Sequence, residues 1–197
     1  MKTLSLAVAC LLSISVFAQD FESKGFKKEN LFTGGSLSVG FSNNSFQIGG
    51  NPMFGYSIAP WLDAGVVVNY NYASFRDWYI YDDKMRQSTY GAGAFTRLFP
   101  IRFLFAHAQI EQNYTRLKYI PNDGTSSSTA SVNGPSLLLG AGYSTNRQPG
   151  YGQPFFYVSL LFDVLGDETS PYIDERGRAI PIVRAGLQVP LFQGRGR

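Results

Sequence analysis

The sequence predicts an all-β fold, an eight-stranded antiparallel up-and-down transmembrane β-barrel. Three observations point there. From Phe32 onward apolar residues recur with a period of two, the signature of strands with two unlike faces. The alternation resolves into eight segments, and an even strand number is usual for single-chain membrane barrels. Outside the first 18 residues there is no run of the roughly 20 apolar residues that a membrane-crossing helix needs.

In strand one, Leu37, Val39 and Phe41 alternate with Ser36, Ser38, Gly40 and Ser42, and Asn43-Asn44 makes a tight turn. Strand two sets Phe46, Ile48, Phe54, Tyr56 and Ile58 against Gln47, Gly49, Asn51, Gly55 and Ser57, and turns at Ala59-Pro60. Strand three sets Leu62, Ala64, Val66, Val68, Tyr70 and Tyr72 against Asp63, Gly65, Val67, Asn69 and Asn71, then enters a polar and aromatic loop over 73–88. Strand four, about Thr89 to Phe99, interleaves Gly91, Gly93, Phe95 and Arg97 with Ala92, Ala94 and Leu98, and turns at Pro100. Strand five sets Leu104, Ala106, Ala108, Ile110 and Tyr114 opposite His107, Gln109, Glu111 and Asn113, before a Ser/Thr/Asn loop over about 120–134. Strand six carries Leu137, Leu139, Ala141 and Tyr143. Strand seven carries Phe156, Val158, Leu160, Phe162 and Val164, after a turn rich in Gly, Pro and Gln. An acidic loop over about 166–178 leads to strand eight, with Val183, Ala185, Leu187, Val189 and Leu191 on its apolar face.

The connections alternate too. Those near 60, 100 and 149 contain Pro, while those near 80, 127 and 172 are longer and more polar, as expected of short periplasmic turns and longer outer loops. The first hairpin, at Asn43-Asn44, breaks that alternation by being short.

Composition decides which face meets what. Of the 197 residues 44% are hydrophobic and 15% aromatic, but only 16% are charged, against a usual charged share of about 25%. The apolar faces are nearly free of charge and carry Tyr56, Trp61, Tyr70, Tyr72, Tyr114 and Tyr143 toward their ends, as aromatic girdles of a lipid-facing band do. The opposite faces hold Asp63, Arg97, His107, Glu111, Asp163 and Arg184 among Gly, Ser and amides. Eight strands enclose an interior just wide enough for side chains to fill, so these six residues are expected to form a polar lumen cluster and not the lining of a pore. Asp63 with Arg97, and Asp163 with Arg184, are the expected inward ion pairs. Gly91, Gly93, Gly140 and Gly142 are expected to make room for large lumen neighbours.

Residues 1–18 read as a signal peptide: Lys2, an apolar stretch from Leu4 to Phe17, and a small-residue cleavage pattern at Val16-Phe17-Ala18. A lipoprotein cleavage before Cys10 is the rival, but it lacks the usual Leu three residues earlier. Removal at Ala18 leaves no cysteine, which excludes disulfides, thiol catalysis and Cys-based metal sites. It also leaves 16 basic against 14 acidic residues, a net charge of +2 that argues against nucleic-acid binding. Residues 19–31 read as a charged periplasmic leader, 32–192 as the barrel, and 193–197 as a short basic tail.

Two segments resemble the small outer-membrane β-barrel domain family. Asn51-Pro52-Met53-Phe54-Gly55-Tyr56 followed by Leu62-Asp63-Ala64-Gly65 is similar to its second hairpin, and Gly93-Ala94-Phe95-Thr96-Arg97-Leu98-Phe99 to its fourth strand. The likeness runs over about Phe32 to Phe192. It implies a barrel in the outer membrane of a Gram-negative cell, reached by a cleavable signal peptide and the outer-membrane insertion machinery. Such families usually have no known activity. The chain departs from the pattern at its end, where Phe192 is followed by Gln-Gly-Arg-Gly-Arg and not by the chain terminus.

Function is expected in the loops. Phe75, Trp78, Tyr79 and Tyr81 form a candidate recognition surface, because exposed aromatics at a loop tip are what binding surfaces use. The plainer alternative is an outer girdle or a cover over the barrel mouth. His107 is the only histidine, so any acid–base catalysis would use it, with Glu111 on the same face. It is placed far from the outer surface and reads as structural. Asp82-Asp83 and Asp167-Glu168 are acidic pairs that solvent accounts for, so neither a metal nor a cofactor is expected. The expected role is non-enzymatic, structural or surface-recognition, with outer-membrane lipid and lipopolysaccharide as partners. A narrow solute channel or a lipid A-modifying enzyme are the alternatives.

Overall fold

A computed structural model describes residues 26–42, 45–76, 81, 83–123, 125–145, 147, 153–173 and 177–192. The expected signal peptide, most of the leader, Trp78, Tyr79, Asp82 and the 193–197 tail lie outside these residues.

The eight strands are β1 (Leu31–Ser42), β2 (Ser45–Ala59), β3 (Leu62–Arg76), β4 (Lys84–Ile101), β5 (Leu104–Ile120), β6 (Ser128–Ser144), β7 (Phe155–Asp163) and β8 (Ile182–Pro190). Each pairs antiparallel with the next, and β1 with β8, closing the barrel. Where all eight strands overlap, closure removes the sheet edge, the condition for placing β-structure in hydrocarbon. The seam is short: β1 and β8 pair only from Phe32 opposite Pro190 to Leu37 opposite Ala185. The strands are unequal as well, 18 residues in β4 and 17 in β5 and β6 against nine in β7 and β8.

The period-two reading places the faces correctly. Val66, Val68, Ile110, Phe156, Val158, Leu160 and Val183 are exposed on the outside, and Asp63, Asn69, His107, Gln109, Glu111, Asp163 and Arg184 are buried inside. An apolar surface of this extent would be an aggregation liability in water, and it is the lipid-facing belt of a membrane barrel. The chain is a transmembrane β-barrel. Tyr70, Tyr90 and Tyr114 stand in one cross-strand row at the loop end of the belt. Tyr143 opposite Leu104, together with Phe103, whose ring centroid is 6.1 Å from that of Tyr143, marks the turn end. From Leu104 to Tyr114 the strand covers roughly 33 Å at about 3.3 Å per residue, or about 25 Å of height at a tilt of about 40°, the thickness of an outer-membrane apolar band.

The loop boundaries differ from expectation. The span 73–88 is mostly strand, since β3 runs to Arg76 and β4 begins at Lys84; likewise β6 begins at Ser128. Above the girdle the outward face turns polar and cationic while Phe75, Met85 and Leu117 lie on the inward side, so the pattern of apolar-out and polar-in that marks a lipid-facing strand is lost there although the backbone ladder continues. Pro100 lies within β4, and the chain reverses at Arg102-Phe103. Ahead of β1, a single 3₁₀ turn (Lys28–Asn30) is held against the rim: Phe26 stacks on Tyr56 at 5.3 Å, and Asn30 Nδ2 donates to the Ser57 carbonyl at 2.9 Å.

Candidate functional site

The lumen has two halves of different chemistry. At the turn end four inward aromatics each face a glycine directly across a strand pair: Phe32 and Gly55, Phe95 and Gly65, Phe105 and Gly142, Tyr157 and Gly186. The missing side chain is the seat for the ring. A Cβ on Gly55 would come within 2.3 Å of the Phe32 ring, and one on Gly142 within 2.3 Å of Phe105. Met53, Val67, Phe99 and Phe155 complete this buried cluster.

Arg97 is buried in the middle of these rings. Its guanidinium lies 4.1 Å from the centroid of Tyr157 and 5.2 Å from those of Phe95 and Phe105, a geometry in which ring faces offset part of the cost of burying the cation. The expected Asp63–Arg97 ion pair does not form, although the two residues are directly opposite in the ladder. Instead Arg147, from the connection between β6 and β7, reaches into the barrel and pairs with Asp63 at 2.5 Å, while also donating to the Pro60 carbonyl and lying 3.8 Å over Phe99. Ser57 Oγ donates to the same carboxylate at 2.7 Å. Asp63 therefore has a partner less confined by aromatics than Arg97.

From Arg97 a line of hydrogen bonds climbs the inward face of β5. Arg97 Nε donates to His107 Nδ1 at 3.1 Å; that nitrogen is then an acceptor, so Nε2 carries the proton and donates to Gln109 Oε1 at 3.1 Å. Gln109 Nε2 donates to Glu111 at 2.6 Å, and Asn113 Nδ2 donates both to Glu111 at 3.0 Å and to Ser136 at 3.1 Å. The alternation of strand residues supplies this spacing, since i and i+2 side chains share a face. Gly91 lies between Asn69 and Asn113, and its lack of a Cβ lets their amides bond at 2.9 Å across it.

The loop end is closed by the chain itself. Residues 164–173, which follow β7, fold into the mouth. There Ser170 Oγ donates to Asp163 at 2.5 Å and lies 2.8 Å from Ser136 Oγ, and Tyr172 accepts from Asn69 at 3.2 Å while packing on Leu138 and Leu161. Burial and the nearby Glu111 carboxylate push the Tyr172 hydroxyl well above the usual tyrosine range, so it stays neutral. The expected Asp163–Arg184 pair does not form either. Asp163 accepts from Ser170 and from the backbone N–H groups of Leu137 and Leu165, whereas Arg184 donates to Gln109 at 3.1 Å. The second terminal nitrogen of Arg184 and Asn51 Oδ1 have no protein partner among the described residues. Both residues line a cavity of about 10 Å³, at the lower limit of what admits one water molecule.

All six expected lumen residues are thus buried in one connected interior. Arg147, Ser170 and Tyr172 were missed: turn and loop residues carry no periodicity, so nothing in the sequence says that they point inward. Gln188 was missed as well, although its place between Leu187 and Val189 on β8 marks it as inward. His107 has both ring nitrogens committed to Arg97 and Gln109, and among the described residues no serine hydroxyl bonds it. The loop candidates separate. Phe75 lies within β3, half-buried, opposite Ser45 and Met85, and so is not at a loop tip. Tyr81 is 84% exposed, and its carbonyl accepts from Asn122 of the next connection. Of the acidic pairs, Asp83 is buried and accepts from Tyr119. Asp167 accepts from the Thr169 hydroxyl and backbone N–H, which hold its carboxyl below the usual range. The described residues bring no three metal-ligating side chains together.

No protein-family model matches the chain, and no curated protein matches it. Among solved structures it is similar to Ail, the attachment invasion locus protein of Yersinia pestis, at 12% identity and a TM-score of 0.49, covering 81% of this chain and 95% of that one. Neisserial surface protein A is similar at 13% identity and a TM-score of 0.45, over 85% of this chain and 100% of that one. The N-terminal β-barrel domain of Pseudomonas aeruginosa OprF is similar at 14% identity and a TM-score of 0.41, over 82% and 96%. At such values the likeness is one of chain course only.

Proposed function

We propose that this is a non-conducting, non-enzymatic integral outer-membrane protein of a Gram-negative cell, anchored by its barrel and acting through its outer loops in envelope structure or surface recognition. The observation that carries the proposal is the filled lumen. Side chains connect from Arg147 and Asp63 through Gln188, Arg97 and the β5 ladder to Ser170 and Asp163, so protein bonds to protein from the turn end to the loop end. A channel needs a continuous water path, and the rings around Arg97 stand across it. In this reading the turns face the periplasm and the longer connections the exterior.

The test is purified full-length protein in planar bilayers. No discrete conductance steps are expected, while the same preparation resists detergent and changes gel mobility only on boiling. Regular single-channel steps from a boil-sensitive preparation overturn the plugged reading and leave the barrel intact.

A further inference from the structure

The charges on the outside of the barrel are one-sided. No Asp or Glu points outward on any of the eight strands, because Asp63, Glu111 and Asp163 are the only strand carboxylates and all three are buried in the lumen. The outward cations of the strands, by contrast, gather on one sector: Arg76 of β3, Lys84 and Arg86 of β4, and Arg116 and Lys118 of β5. They share the outward face with Tyr70, Tyr90 and Tyr114 and begin one outward position above that girdle, so Arg116 and Lys118 stand roughly 5–10 Å higher, at headgroup level.

Their register is unfavourable in isolation. Arg76 is directly opposite Lys84, and Arg86 directly opposite Lys118, and like charges in such positions destabilise a sheet. None of the five makes an ion pair among the described residues. Asp77 and Asp82, near Arg76 and Lys84 in sequence, lie outside those residues, so the core of the patch is Arg86, Arg116 and Lys118. The Arg86–Lys118 row, with Arg116 one outward position below Lys118, places repelling cations beside lipid and calls for an external anion.

We infer that this sector of β3–β5 binds the phosphate groups of a phosphorylated glycolipid of the outer leaflet, with Arg86, Arg116 and Lys118 as its central contacts. This rests on the outer-membrane reading above and gives it a binding site. The girdle tyrosines would lie against the sugar–acyl boundary while the cations meet the phosphates, and recognition would be by charge at fixed height on the barrel wall.

The experiment uses the folded full chain in a zwitterionic detergent, titrated with lipid A and with the same lipid A after enzymatic removal of its phosphates, reading the temperature of the gel-mobility shift. Lipid A is expected to raise that temperature and the dephosphorylated lipid to leave it unchanged. Arg86→Ser with Lys118→Ser should weaken lipid A binding by about thirtyfold, since each cation near an anionic surface contributes about a factor of five. Without added lipid the same variant should unfold at an equal or higher temperature, because a like-charge pair is gone. Equal binding of the two lipids, or of the two proteins, overturns the site. A chain that forms no boil-sensitive barrel at all would instead overturn the outer-membrane reading.

Discussion

The turn-end half of the lumen is filled by rings and the loop-end half by amides and hydroxyls, although the same eight strands enclose both. Below His107 the interior is built from four aromatic–glycine pairs with Arg97 among the rings. Above it the interior is a line of hydrogen bonds that ends on a folded-in connection. Ring packing depends on volume and tolerates little change in shape. A hydrogen-bonded lining depends on satisfied partners, and its short flexible side chains can re-pair. The lesson is that one barrel is closed at its two ends by two kinds of force, and the two should fail differently.

The largest expected effect is at the turn end. Asp63→Ala leaves Arg147 without its counter-charge near buried rings, and should cost about 3–5 kcal/mol of stability in urea unfolding from detergent. Adding Arg147→Ala should recover part of that loss, whereas adding Arg97→Ala should not. Recovery with Arg97 and none with Arg147 would restore the pairing that strand register alone suggests.

Next in size is the same substitution made in both halves. Gly142→Ala sets a Cβ against the Phe105 ring at 2.3 Å and the Val158 carbonyl at 2.5 Å, with no room to yield, and should cost about 1–3 kcal/mol. Gly91→Ala has the amide ends of Asn69 and Asn113 as its nearest contacts, side-chain atoms that can swing aside, so its loss should be the smaller. Equal losses would mean that the two halves are equally rigid.

The smallest effect belongs to the mouth. Ser170→Ala removes the donor to Asp163 and the contact with Ser136, at about 1 kcal/mol, and should appear as faster proteolysis within 164–181 with little change in global unfolding. Unchanged cleavage would show that Tyr172 alone holds the connection in place.

The sequence showed the faces because lipid enforces them: outward positions within the belt are mostly apolar and none is charged, so Val66 and Val68 announce Asp63 and Asn69 as inward. It showed strand existence but not extent, since β3 and β4 continue above Tyr70 and Tyr90 into a zone where the outward face turns polar and Phe75 and Met85 lie on the inward side. It did not show partners. Asp63 and Arg97 share a row, but the rings of Phe95, Phe105 and Tyr157 enclose the guanidinium, and a residue from an aperiodic turn takes the carboxylate. Phe75 read as a loop aromatic for the same reason that the strand end was invisible.

The short seam between β1 and β8 bears on how such a barrel comes into being. It joins the two strands farthest apart along the chain, so its closure carries the largest loss of chain entropy while gaining one of the shortest hydrogen-bonded ladders. The long β4–β5–β6 sheet can form from local hairpins first, and the ends of the chain meet last. In the finished protein the order reverses: amide protons of Phe32 to Leu37 and of Ala185 to Val189 are those that should exchange with solvent soonest among the strand ladders, making the seam both the final stitch of assembly and the first to loosen.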